Sequence, residues 1–425
     1  MVTYGDSPAS LPPLLHEGLS LAAAGFQVDS VHSEAAPPSA DQHSPGFRSH
    51  TFRLRIRGTF RAVKAGAPGT RAIAAVVKLL SYGEFIVKAT VAAYRMRADL
   101  YVAHDVPALL PTLLAARLRG KPLVYRANEI FSETHAQVRF AWFWRGLDRL
   151  LVPSCDEVVT PEEHRSRIYK EEYGAKKEPL TVRNCPPYRL PVESTRLRDE
   201  LRRRGVDFSI ILLYQGLVDS MRCIEEIAEA TRSFDEGVVL VVLGKGFGRW
   251  SDPQARLAAY ERLLVLPRVP YHELPTYTAS ADMGILLYRN DCRNNYYCAP
   301  NKLFEYMMMG LPVIAPSFPG IVPVVEGGNT GLCVDPAQPK QIAAAVNELA
   351  RAPELRRRMK ENGLRLTRER YNWETEFAPL LERYRALLRP NGAAEVQPST
   401  SSRSIAIATA RSRQRSASKA RSLRA

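Results

Sequence analysis

The chain has 425 residues, 45% of them hydrophobic. That is more than one ordinary core holds, and it sets an expectation of roughly two to three domains. The net charge of +15 is local: Arg48 to Arg97 carries eleven Lys/Arg against Glu84 alone, and Asn391 to Ala425 carries seven against Glu395 alone. No apolar run approaches a membrane span, Met1 onward does not read as a charged-then-apolar leader, and the six cysteines lack paired metal spacing. The cysteines are expected to be reduced thiols of a cytosolic protein.

In chain order, Met1 to Tyr4 is too short to fill the apolar strand that normally precedes a Gly-containing loop such as Gly5-Asp-Ser-Pro8, so a start upstream of Met1 is expected. Leu11 to Ala24 reads as a helix and Phe26 to Val31 as a strand. Asp99 to Ala103 and Pro122 to Ala127 are strands around an Ala108 to Leu118 helix. They end at His104-Asp105 and Asn128-Glu129, where an open α/β sheet binds ligands. Glu157 to Thr160 and Leu180 to Arg183 are further strands around a Pro161 to Tyr173 helix, and three prolines make 184–191 a linker.

The second half repeats the scheme. Strands are expected over Ser209 to Tyr214, Gly237 to Leu243, Leu263 to Val269, Met283 to Tyr288, Leu311 to Ala315 and Gly331 to Val334. Helices are expected over Met221 to Phe234, His272 to Ala281, Asn301 to Met309, Gln338 to Ala350, Leu355 to Arg370 and Trp373 to Leu388. After Pro390 the composition turns to Ser, Arg and Ala, which reads as a disordered basic tail over 391–425. With no aromatic residue to stack on bases, that tail offers no specific nucleic-acid recognition.

Pro300-Asn301 starts a helix with Lys302 in its first turn, where a cation opposes the helix dipole. A bound anion would explain it, since helix N-termini offer free N–H groups to phosphate. Glu305 lies four residues after Asn301 on the same face, placed for a hydroxyl. The spacing is also that of a surface helix with a solvated Lys and Glu. Arg222 lies at a second strand–loop–helix turn, and two cations converging there would neutralise a diphosphate. Gly216, Gly244 and Gly246 follow strands, where glycine allows close backbone approach to phosphate, although each also suits an ordinary turn. His104, Asp105, Asn128 and Glu129 would line the opposite wall of a cleft. Asp-x-Asp, His-Glu-x-x-His, Gly-x-Ser-x-Gly and the Walker A loop are all missing, which removes the usual signatures of metal-dependent sugar transfer, zinc hydrolysis, serine hydrolysis and P-loop chemistry.

Taken together, these segments resemble the family 4 glycosyltransferases, retaining enzymes of the GT-B fold. The resemblance runs from about Pro12 to Leu388. It rests on Leu15 to Val28, Ala103-His-Asp-Val-Pro-Ala-Leu-Leu-Pro111, Leu123 to Glu133, Val182-Arg-Asn-Cys-Pro-Pro187, Tyr214-Gln-Gly216 with Arg222, Leu243-Gly-Lys-Gly246, Val269 to Pro275 and above all Pro300-Asn-Lys-Leu-Phe-Glu-Tyr306. It implies two Rossmann-like α/β domains, an acceptor-side one over 1–185 and a nucleotide-sugar-binding one over 186–372, with a crossover helix over 373–390 returning to the first. Arg222 and Lys302 would hold the diphosphate and serve catalysis with His104. Gly216, Gly244, Gly246 and Asn301 would line the donor site, Glu305 would take the ribose, and the nucleobase would lie near Arg268 and Val269. Asp105, Asn128 and Glu129 would face the acceptor. The transfer would need no metal and no cofactor beyond the donor itself.

Two departures stand out. Many members carry a donor-sugar glutamate where this chain has Tyr297, and a histidine where it has Asn128. Tyr297 and Asn128 also suit a catalytically silent GT-B protein that binds a partner. The expected setting is cytoplasmic, at the inner membrane face, on a glycan or lipid-linked acceptor. The basic region 48–97 is expected to meet anionic membrane.

Overall fold

The computed structural model describes residues 1–3, 12–33, 45–56, 70–134, 140–246 and 250–389. The expectations for the Gly5–Pro8 loop, part of the basic region and the 391–425 tail lie outside them. Met1–Leu388 is one compact unit.

Two parallel sheets organise that unit. The strands run apolar almost without interruption because parallel sheets are covered on both faces. In the first sheet, β1 (Val28–His32) pairs with β2 (Phe47–Thr51), and β3 (Tyr101–His104), β4 (Leu123–Arg126), β5 (Glu157–Thr160) and β6 (Leu180–Thr181) lie side by side in that order. Val2 bridges Val31 and Ala103, parallel to both, so the opening residues lie between β1 and β3 through a single paired residue. The second sheet has the order β12-β11-β10-β7-β8-β9. Its strands are β7 (Ile210–Val218), β8 (Val238–Gly246), β9 (Leu263–Pro267), β10 (Met283–Ile285), β11 (Val313–Pro316) and β12 (Gly331–Val334). Alternate residues of β7 point to opposite cores: Ile211 and Leu213 join the helix Asn301–Met308, whereas Leu212 and Tyr214 join the helix Ile224–Ala230.

The chain passes between the sheets at 184–191 and again before Trp373, and the two passages touch where the Trp373 N–H donates to the Pro186 carbonyl at 3.0 Å. The last helix, Trp373–Leu388, returns to the first sheet. Trp373, Phe377, Leu380 and Tyr384 are buried against Leu21, Val28, Val102, Val124 and Val159. Phe377, Leu380 and Tyr384, with the partly buried Leu381, are the apolar stripe legible at helical spacing. Trp373 Nε1 donates to Ser20 Oγ at 2.8 Å and the Tyr384 hydroxyl donates to Glu17 Oε1 at 2.5 Å.

The largest element absent from the sequence reading is the 27-residue helix Thr70–Met96. Its inward spacing, Tyr82, Phe85, Ala89 and Ala93, was present in the sequence, but the basic charge around it drew the reading toward a surface patch instead. Several expected elements are shorter in the structure, such as the helix Leu274–Thr278 within the expected His272 to Ala281.

Candidate functional site

The carboxyl ends of β7 and β10 and the start of the helix Asn301–Met308 bring two cations together. Gly216 follows the buried run Ile211–Gln215 of β7 with φ of +119°, and a Cβ there would come within 3.4 Å of Lys302 Nζ. Lys302 Nζ sits 4.3 Å from the Tyr214 ring centre and 5.9 Å from that of Tyr288. It is shut off from solvent and has no hydrogen-bond partner. Arg222 closes the short turn Ser220–Arg222, in which Asp219 Oδ1 accepts the N–H groups of Met221 (2.9 Å) and Arg222 (3.1 Å). Its guanidinium lies 4.2 Å over the other tyrosine, Tyr288. Two cations therefore share one aromatic wall. Burial first, and then Arg222, push the Lys302 pKa down to about 7, with Glu305 and Asp219 opposing. An unpaired buried ammonium beside a guanidinium is a costly arrangement that an incoming anion relieves.

Glu305 lies one turn deeper, as its spacing required. Gln215 Nε2 donates to its Oε2 at 2.7 Å and the Tyr271 hydroxyl to its Oε1 at 3.2 Å. Gln215 is itself fixed by Thr278, whose hydroxyl donates to Gln215 Oε1 at 2.8 Å. Burial raises the Glu305 pKa, and these hydrogen bonds and Lys302 act against that rise. Glu305 stands between two crevices. One of about 320 Å³ is lined by Arg189, Gln215, Tyr271, Leu274 and Met308; the other, of about 230 Å³, by Pro13, His16, Asn184, Asn301 and Trp373. Arg189, in the linker, acts electrostatically on Glu305, Tyr271 and His16. The sequence reading assigned no role to Gln215, Tyr271 or Arg189. Only Gln215 carried a signal, its place beside Gly216 at a strand end.

Gly244 and Gly246 are needed for a different reason than the one expected. A Cβ at Gly244 would meet the Gly216 carbonyl at 1.9 Å, and one at Gly246 the Trp250 carbonyl at 1.5 Å. They let β8 pack closely against the Gly216 and Trp250 carbonyls. Arg268 is exposed just past β9, and Val269 packs at the edge of the second core; neither lines the two crevices beside Glu305.

The expectation for His104 as a cleft catalyst does not hold. Its imidazole is buried beside Arg126, and Nε2 has no partner. Burial first, then Arg126 and the terminal amine, hold its pKa well below the ordinary histidine value, so it stays neutral. Successive strand residues face opposite sides, and His104 shares the Val102 side, toward the returning helix.

Asp105, Asn128 and Glu129 do come together. Asp105 has φ of +59° and ψ of 160°, a strained conformation for a residue with a Cβ. Its Oδ1 accepts the N–H groups of Asn128 (2.9 Å) and Glu129 (3.1 Å). Burial first, then Glu129, raise its pKa to about 7. Asn294 Nδ2 donates to Glu129 Oε2 at 2.5 Å, and Asn294 Oδ1 accepts the Ile130 N–H at 2.9 Å. Arg165 donates to three carbonyls: Nε to Tyr297 (2.7 Å), Nη2 to Asn294 (2.8 Å) and Nη1 to Asn128. The Tyr297 ring stacks on His164 with centres 5.1 Å apart. The strand-end loops of the first sheet and the segment 293–297 of the second half therefore form one network. Arg165 and Asn294 carry no signal in the sequence because their contacts across the two halves join residues more than a hundred positions apart. Among the described residues, no group of three or more His, Cys, Asp or Glu could hold a metal ion.

Two parallel α/β sheets joined by a linker, with a final helix returning to the first, constitute the GT-B fold. Residues 214–352 match the family model described as glycosyl transferases group 1, and this stretch is a domain of that kind. The chain is 27% identical over 197 residues to alpha-D-kanosaminyltransferase of Streptomyces kanamyceticus, covering 45% of this chain and 49% of that one. It is 25% identical over 300 residues to D-inositol 3-phosphate glycosyltransferase of Segniliparus rotundus, covering 65% of this chain and 64% of that one. It thus spans about half to just under two thirds of these relatives. Among solved structures, Anabaena HepE in complex with UDP-glucose superposes with a TM-score of 0.66 at 15% identity, covering 91% of this chain and 99% of HepE.

Proposed function

We propose that this protein transfers a sugar, of hexosyl type, from a nucleotide diphosphate-sugar to a glycan or lipid-linked acceptor, with retention of configuration, in the building of a surface polysaccharide. The observation that carries this reading is the unpartnered Lys302 ammonium that shares the Tyr288 ring with Arg222 where strand ends meet a helix start. Arg222 and Lys302 take the diphosphate, and Glu305, held by Gln215 and Tyr271, takes the ribose hydroxyls. As the sugar leaves, charge grows on the departing phosphate, and two preplaced cations stabilise it without reorganisation. This assigns to two side chains the charge neutralisation a metal ion would otherwise supply. The acceptor approaches from the first-sheet wall, and a leaving-phosphate oxygen takes its proton on the face from which the phosphate departs. The glycosyl transferases group 1 match and the UDP-glucose in HepE both support such a donor.

A thermal-shift screen of nucleotides and nucleotide-sugars tests the donor site. A ligand at a hundred times its dissociation constant stabilises by about 2.7 kcal/mol. Slow hydrolysis of the stabilising nucleotide-sugar without acceptor is the expected second result; binding without any hydrolysis would favour the silent, partner-binding reading.

The acceptor reading extends to an anionic membrane surface. No described helix is long and apolar enough to cross a membrane. On the helix Thr70–Met96, however, Val76, Leu80, Val87, Val91 and Tyr94 form an exposed stripe opposite the buried Tyr82, Phe85 and Ala89. Leu118 and Trp142 are exposed on neighbouring helices, among the exposed Lys78, Arg95, Arg117 and Arg145. Basic groups near an anionic surface contribute roughly 1 kcal/mol each. Sedimentation with vesicles should show binding to anionic lipid that salt weakens; equal binding to neutral vesicles would remove the electrostatic explanation.

A further inference from the structure

One carboxylate on the first-sheet side acts on Arg222. Glu129 follows β4, and both sides of its support are fixed. Its own N–H is held by Asp105 Oδ1 at 3.1 Å. Its Oε2 accepts from Asn294 Nδ2 at 2.5 Å, and that amide cannot turn because its Oδ1 holds the Ile130 N–H at 2.9 Å. Arg165 ties the carbonyls of Asn128 and Asn294 to the same guanidinium. Even so, Glu129 is exposed, and among the described residues nothing donates to its Oε1. Its charge acts on Arg222 and Tyr288, and among the described residues no ion pair joins it to Arg222. A gap remains between opposite charges that are each held in place.

A carboxylate in that position repels a phosphate and accepts a hydroxyl. It is therefore unsuited to the diphosphate and suited to the polyhydroxylated group the diphosphate carries. We propose that Glu129, aimed by Asn294, Asp105 and Arg165, accepts a hydrogen bond from a hydroxyl of the donor sugar and so helps determine which sugar is bound. This rests on the donor reading given under Proposed function.

The test is titration calorimetry of the full chain with UDP, GDP, UDP-glucose, UDP-galactose and GDP-mannose, on wild type, Glu129→Gln and Glu129→Ala. Both variants remove a negative charge facing Arg222, so they should bind the bare diphosphate at least as tightly as wild type. The preference for nucleotide-sugar over the matching diphosphate should fall about tenfold in Glu129→Ala and several-fold in Glu129→Gln, as expected for loss of a charge-assisted hydrogen bond. The two ligands should therefore move in opposite directions. An unchanged preference would overturn the Glu129 assignment and leave the donor site standing. Equal weakening of both ligands would also overturn it, by showing that Glu129 acts on the packing of the two halves. Wild type binding none of the five would overturn the donor reading and this assignment with it.

Discussion

Lys302→Ala should cost this protein its donor chemistry while leaving its fold as stable as before or more so. The ammonium it removes is buried, unpartnered and beside Arg222. A charge-assisted bond to the diphosphate contributes roughly 1.5–3 kcal/mol of affinity, and removing a preplaced donor to a developing negative charge lowers kcat about 10²–10³-fold. In the ligand-free protein the same group is a burden, so its loss should hold or raise the melting temperature. Calorimetry with the nucleoside diphosphate and a melting curve settle both halves, and unchanged affinity would count against the assignment.

The same group makes binding pH-dependent. Lys302 titrates at about 7 in the folded protein against 10.5 ordinarily. Below pH 7 it is charged both folded and unfolded, and the folded state bears the full penalty. Between those values the unfolded chain holds a proton the native state has lost, so this group's contribution to stability rises with pH. Diphosphate affinity should move the other way, falling as pH climbs through 7. At pH 8 binding should take up about one proton, read as a dependence of the binding heat on the ionisation heat of the buffer.

Arg126→Met should be the most destabilising single change considered. Arg126 and Glu17 are almost completely buried and pair at 3.0 Å beneath the returning helix, where the Tyr384 hydroxyl also meets Glu17. Removing the arginine leaves a buried carboxylate whose remaining hydrogen-bond partner, among the described residues, is the Tyr384 hydroxyl, which costs about 3–5 kcal/mol. Urea denaturation should show the midpoint falling at unchanged slope. Glu17→Gln with Arg126→Met removes both charges and should recover most of the loss. A double variant as unstable as the single one would show that packing, rather than the stranded charge, is responsible.

Much of this arrangement could be read from local chemistry. Short apolar runs became strands because parallel strands are buried on both faces, and the order of the elements announced a two-sheet α/β fold. Lys302, Glu305 and Arg222 stood out because helix starts and strand ends are where backbone groups remain free for ligands, and that is a property of short segments. The returning helix showed itself through Phe377, Leu380 and Tyr384 at helical spacing.

Other features depended on the tertiary structure. A strand residue's type does not say which face of the sheet it takes, so His104 read as a cleft residue although it turns toward Arg126 and the returning helix. Glycine at a strand end does not reveal whether its missing Cβ makes room for a ligand or, as at Gly244, for a neighbouring carbonyl. Arg165 and Asn294 carry no local signal at all. Apart from Asn128, 37 residues from Arg165, their partners lie 129 to 165 residues away in sequence, and only the packing of one sheet's loops against the other half brings them together. What the sequence determined by itself was the set of elements and the residues left free at their ends, because both follow from hydrogen bonds and burial over a few residues. Which of those ends meet, and therefore which charges go unpaired, was decided by the tertiary structure, because long-range contacts set the distances on which electrostatics depends.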